Sequence, residues 1–115
     1  MPAPSGFAHA VLAGDTVYLA GQIGSGETLV QQFDTAAANL LTALAAAGGT
    51  PGELVSLQVF TTDIDEYKHS LTALGEVWRR RFGRHYPAMG LFGVSALFDA
   101  EAKVELMGVA VLSRA

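Results

Sequence analysis

The chain contains no cysteine, so disulfides, thiolate metal sites and cysteine nucleophiles are excluded before any motif is considered. Charge is scarce as well: 16% of the residues are Asp, Glu, Lys or Arg, against about 25% in ordinary soluble domains. What charge there is leans acidic, with 11 acidic and 7 basic residues and a formal net charge of −4. A broad nucleic-acid surface needs many lysines and arginines to displace counterions from phosphates, so this balance argues against one. Long apolar runs are missing too. Each is interrupted by Asp, Glu, Gln, Lys or Arg before the roughly 20 residues that cross a bilayer, and Met1 to Gly6 lacks the basic start and apolar run of a signal peptide. The expectation is a cytoplasmic protein with no membrane partner.

Hydrophobic residues, by contrast, make up 50% of the 115. A chain of this length has room for one core, so residues 1–115 read as a single domain. Polar residues are too few to coat its outside, and some apolar surface should therefore be covered by a partner subunit.

Ala8 to Leu12 and Val17 to Ala20 read as two short strands around Ala13-Gly14-Asp15, a turn that makes them a hairpin. Beyond a loop holding Gly24 and Gly26, apolar residues at Phe33, Ala36, Ala37, Leu40, Leu41, Leu44 and Ala47 follow one helical face. Thr28 with Gln31 offers a capping box at its start, although Thr28 to Val30 also fits a third short strand, and Gly48-Gly49 supplies the stop. Thr50 to Glu53 is a connector of about one helical turn. Val55 to Thr62 alternates, with Val55, Leu57 and Val59 on one side and Ser56, Gln58 and Phe60 on the other. A second helix from Asp63 to Gly83 should carry Tyr67, Leu71, Leu74, Trp78 and Phe82 on one face. Ala88 to Ala96 and Lys103 to Leu112 complete the chain as strands.

The order ββ(β)αβαββ, without regular βαβ alternation, indicates an α+β fold with two helices on one face of a mixed sheet. The other face would be bare. Leaving its Leu, Val, Phe and Met side chains wet costs about 25 cal/mol for each Å², which again calls for neighbouring subunits.

Several segments in order, Gly6-Phe7-Ala8-His9-Ala10-Val11, Val17-Tyr18-Leu19-Ala20-Gly21-Gln22-Ile23, Val59-Phe60-Thr61-Thr62-Asp63, Pro87-Ala88 and Val104-Glu105-Leu106, resemble the RidA/YjgF family along almost the whole chain. The resemblance implies a chorismate-mutase-like protomer, a homotrimer with sheets inside and helices outside, and three ligand clefts between subunits. It also implies hydrolysis of reactive enamines and imines in active members, which are often labelled endoribonucleases.

Carried over residue by residue, the likeness breaks where that chemistry would occur. Active members follow the Pro-Ala pair with an arginine whose planar fork of donors holds a substrate carboxylate; this chain has Met89. They place a water-positioning glutamate on the last strand, where Met107 stands here. The family's N-terminal tyrosine corresponds to Phe7, its asparagine on the second helix to Gly75, and the position two beyond the arginine to Leu91. The expected cleft is lined by Phe7, Met89, Leu91 and Met107, with His9, Gly21, Gln22 and Gly75 beside them, and Met89 and Met107 on adjacent strands. Such a pocket cannot neutralise a carboxylate, which implies a small, largely apolar ligand and no 2-aminoacrylate-type deamination. Glu105, or His9 with Gln22, is the group left for an alternative hydrolytic chemistry, and no residue is assigned as catalytic.

Other signals have plain structural readings. Gly21, Gly24 and Gly26 precede a helix but lack both the G-x-G-x-x-G spacing and a P-loop lysine, so they read as turn glycines. His9, His69 and His85 show no ligand spacing, so neither a metal nor another cofactor is implied. Arg79-Arg80-Arg81 with Arg84-His85 could grip RNA phosphates, but reads more simply as a solvated helix end complementing the dipole.

Overall fold

A computed structural model describes residues 2–113. The N-terminal hairpin is present, with its strands β1 (Ala10–Ala13) and β2 (Thr16–Gln22) displaced slightly from expectation. Gly14 turns the chain between them at φ 61°, a left-handed conformation that a residue without Cβ enters freely.

Helix α1 (Leu29–Ala46) opens on a complete capping box. Thr28 Oγ1 accepts from the Gln31 amide at 3.1 Å, and Gln31 Oε1 accepts from the Thr28 amide at 3.3 Å. Both orphan donors are thus satisfied helically, so Thr28 to Val30 starts the helix and forms no strand. Leu29, Phe33, Ala36, Ala37, Leu40, Ala43 and Leu44 make the buried stripe.

A single 3-10 turn, Pro51–Glu53, leads into β3 (Leu54–Thr61). The Glu53 carboxylate accepts from the backbone N–H of Ser113 and of Thr50, which ties this connector to the end of the chain and holds the carboxyl below its usual range. At the start of β3 the alternation differs from expectation. Leu54 pairs with Ala110 but Ser56 with Val109, a bulge at Val55 that turns this side chain outward, 46% exposed, while Leu57 and Val59 are buried.

The expected second helix is two helices, α2 (Ile64–His69) and α3 (Leu71–Phe82). Ser70 lies at the break and its hydroxyl donates to the Glu66 carbonyl at 2.8 Å, the local bonding by which serine competes with an uninterrupted helix. Leu71 consequently sits at the first position of α3, 59% exposed, and does not share the buried face of Leu74, Val77, Trp78 and Phe82. Asp63 caps α2, accepting from the Glu66 amide at 2.9 Å.

Strands β4 (Ala88–Gly93) and β5 (Val104–Val111) complete one five-stranded sheet in the order β1-β2-β5-β3-β4. β4 ends three residues before the expected Ala96. β3 and β4 are parallel, joined through α2 and α3, and the other pairs are antiparallel. The core lies between this sheet and the helices: Val17, Leu19, Leu57, Val59, Val104 and Leu106 meet the α1 stripe and the inner face of α3.

Asp34 on α1 fastens α3 in place, accepting from Arg80 Nη2 at 2.8 Å and Arg81 Nε at 2.7 Å. Hydrogen bonds from Arg80 and then Arg81 hold its carboxyl below the usual carboxylate range. A lowered folded pKa gives stability that is present above 3.8 and is lost as pH falls through the folded value. Because the Arg80 side chain is 56% exposed, Asp34→Asn should lose only about 0.5–1 kcal/mol in denaturant unfolding at pH 7. The gap between variant and parent should shrink as the pH drops below 3.8.

Candidate functional site: the open sheet face

Strand partners that face one another project their side chains to the same side of a sheet, so the pairing sorts every strand residue onto one of two faces. Val11 lies opposite Tyr18, Tyr18 opposite Val109, Met107 opposite Gln58, and Phe60 between Glu105 and Phe92. None of these is on the helix side. The face is apolar and open, with Val11, Tyr18, Phe92 and Met107 all exposed. Phe60 and Phe92 stack across β3 and β4 with ring centroids 5.6 Å apart.

Glu105 is the single charged side chain that the strands place on this face. It is half-buried and has no hydrogen-bond or ion-pair partner among the described residues. β2 makes room for it. Between Leu19, paired with Gly108, and Gln22, paired with Leu106, a bulge sets Ala20 and Gly21 opposite Met107 alone. The Glu105 carboxyl lies directly over Gly21, where any Cβ would stand 2.8 Å from its Cδ and Oε2.

The sequence expectation placed Met89 beside Met107 on adjacent strands, and here the fold differs. β3 separates β4 from β5, and Met89 and Leu91, partners of the inward-facing Leu57 and Val59, point to the helix side. They sit at the uncovered β4 edge, 46% and 41% exposed. Met107 points to the open face. Phe7 and His9 stand at the opposite, β1 edge, in a groove of about 680 Å³ formed with Ala3, Leu12, Thr42 and Ala46. Gly75 lies on α3, behind the sheet. The expected site residues therefore occur as three separate groups in one protomer, β1 edge, open face and β4 edge, with Gly75 apart from all three on α3.

His9 links the first group internally. Gln22 Nε2 donates to its Nδ1 at 3.0 Å, so the ring proton is on Nε2, which donates to the Pro2 carbonyl at 3.0 Å. Phe7 meets the same ring edge-on at 5.9 Å. Gln22 is buried and shares the helix-side face with its partner Leu106, opposite to Glu105, so Glu105 and the His9–Gln22 pair are not brought together. His69 is exposed on α2, while His85 contacts the Leu54 carbonyl through Nε2 at 2.6 Å; the three histidines stand apart.

Two other signals are absorbed by the fold. The glycine loop lies against the flank of α1, where a Cβ on Gly24 would come within 2.4 Å of the Gln32 carbonyl and the Ala36 amide, so its role is close backbone packing. A second groove of about 650 Å³ borders this loop, and the buried Gln32 spans its base with bonds to Gly26, Glu101 and Lys103 backbone groups. At the end of α3, Arg80 and Arg81 are not merely solvated, since both are committed to Asp34.

The expectation of a bare face with Phe side chains names none of Phe60, Phe92 and Tyr18 as lining it. The signal was available in the alternation of β3, where Phe60 falls between Val59 and Thr61, but alternation says which residues share a face and not which face is bare.

A mixed five-stranded sheet with helices on one face and an apolar open face on the other defines an α+β protomer of the kind the sequence implied. The endoribonuclease L-PSP family model matches residues 1–112, and the chain belongs to that family, the RidA/YjgF group. It is 30% identical over 113 residues to a goat (Capra hircus) protein named 2-iminobutanoate/2-iminopropanoate deaminase, covering 91% of this chain and 79% of the relative. A RutC family protein of Escherichia coli, YjgH, is 30% identical over 105 residues, covering 85% and 79% respectively. The crystal structure of a YjgF/YER057c/UK114 family member from Mycobacterium tuberculosis superimposes with a TM-score of 0.84 at 30% identity, covering 94% of this chain and 88% of that one.

Proposed function

We propose that this chain works as a homotrimer that binds a small, largely apolar metabolite in clefts between copies, without the imine deaminase activity for which some relatives are named. The observation that carries this reading is the pair of methionines, Met89 and Met107, at the positions where the family resemblance expects a carboxylate-binding arginine and a water-positioning glutamate. A thioether is a weak acceptor with no charge, and it can neither pair a carboxylate nor orient water as a base. Loss of a charge-assisted anchor costs about 1.5–3 kcal/mol, and loss of the acid/base group with it removes most transition-state stabilisation.

The spatial sorting of the site residues supports assembly. β1-edge and β4-edge groups lie at opposite ends of one sheet, so they converge only if one copy's edge approaches another's. A cyclic trimer uses that kind of contact, joining two different patches around a closed ring. The open apolar face supplies the driving force, at about 25 cal/mol per Å² removed from water.

The test is a coupled assay for 2-keto acid formation from 2-aminoacrylate-type imines, paired with sedimentation. The expected result is a trimer with no turnover above the uncatalysed rate, and Met89→Arg combined with Met107→Glu should gain turnover. Parent activity comparable to an active relative, or a stable monomer, would overturn the proposal.

A further inference from the structure

Resting on the cleft reading above, the geometry points to a more specific ligand: Glu105 makes the cleft selective for a cationic amine on an apolar body, in place of a carboxylate. Glu105 is a lone carboxylate set among Phe60, Gln58 and Met107, on a face whose other strand side chains carry no charge. Covering that face takes Glu105 out of water, and a buried carboxylate without a counter-charge is strongly unfavourable.

Among the described residues, the strands of this face offer no counter-charge there. Among the described residues, the strands of a second copy's open face carry no cation either. Among the described residues Arg80 and Arg81 are paired with Asp34, and Lys103 with Glu66. Lys68 belongs to α2, Arg79 to α3 and Arg84 to the turn between α3 and β4, so none of them is on the strands of the open face. The missing positive charge is therefore left for the ligand to bring.

The surroundings suit an ammonium. Its N–H groups can reach the carboxylate oxygens, the Phe60 ring paired opposite Glu105 offers a π face, and the Met107 thioether fits the apolar body. Gly21 keeps the carboxyl group in place by leaving its position free of any side chain. A carboxylate ligand would meet Glu105 as a like charge and would find no arginine at position 89.

Calorimetry on the intact protein with three probes of one shape separates the possibilities: 2-phenylethylamine, 2-phenylethanol and 3-phenylpropionate. The amine should bind about tenfold or more tightly than the alcohol, the worth of one charge-assisted hydrogen bond, and the carboxylate more weakly still. Glu105→Gln, which keeps the shape and removes the charge, should bring the amine down to the alcohol's affinity. Gly21→Ala, whose methyl displaces the flexible carboxylate, should weaken the amine in the same sense. Equal binding of amine and alcohol, unchanged amine binding in either variant, or no binding of any probe to a trimer would overturn this inference while leaving the assembly intact. A monomer in sedimentation, or imine turnover by the parent protein, would instead remove the reading beneath it.

Discussion

Phe33→Ala should destabilise the protein by about 3–5 kcal/mol, the usual range for removing a fully packed aromatic ring. Phe33 is 2% exposed on the inner stripe of α1 and meets Tyr67 of α2 edge-on at 6.4 Å, so its ring joins helix, sheet core and the second helical layer. Truncation leaves a cavity bounded by elements that cannot close in, because α1 is held to α3 through Asp34 and to the β4–β5 loop through Gln32. Domains of this size have only about 5–15 kcal/mol of stability, so the loss should lower the melting temperature by roughly 10–20 °C. Phe33→Leu keeps most of the volume and should lose about half as much. Parent and variants must be compared at one protein concentration, since the melting point of an assembly depends on it. A drop of less than about 3 °C for the alanine variant would mean that the core is not organised around this ring.

The second large effect concerns the open face. Tyr18→Asp should convert the assembly to monomer in sedimentation while leaving the far-UV circular dichroism of the protomer unchanged. Tyr18 is 53% exposed, between Val11 and Val109, so the substitution removes nothing from the protomer's core. In an assembly that buries this face, each copy would enclose a second carboxylate besides Glu105, one with neither the Gly21 seat nor a ligand to meet it, with a penalty of several kcal/mol per site. Repeated around a ring, that exceeds what the remaining apolar contact returns. A trimer that survives Tyr18→Asp would place its interface elsewhere, and the convergence of the β1-edge and β4-edge groups would lose its basis.

The pattern of elements was legible in the chain because it depends on near neighbours. Helix α1 could be read from Phe33 to Ala47 and its cap from Thr28 and Gln31, since a 3.6-residue stripe and a capping box are complete within a few turns. The break at Ser70 was not legible. A serine tolerated at a helix surface and one that ends a helix look alike until the Glu66 carbonyl is seen to accept its hydroxyl. The same holds for Val55, which alternation assigned to the wrong face by one residue. Side chains in a strand switch sides every residue, so a single bulge inverts the assignment of everything before it.

The site divides in the same way. Residue identity alone established that positions 89 and 107 carry methionine and that no arginine is available there for a carboxylate, a matter of chemistry that folding cannot alter. Which residues meet was decided only by tertiary structure. Strand order put β3 between the two methionines, the bulge at Ala20 and Gly21 opened a seat for Glu105, and both depend on pairings between segments far apart in the chain, from Leu57 with Met89 to Leu19 with Gly108. Local pattern records the period of each strand, whereas the order of strands and the register between them arise from burial of the whole sheet against the helices.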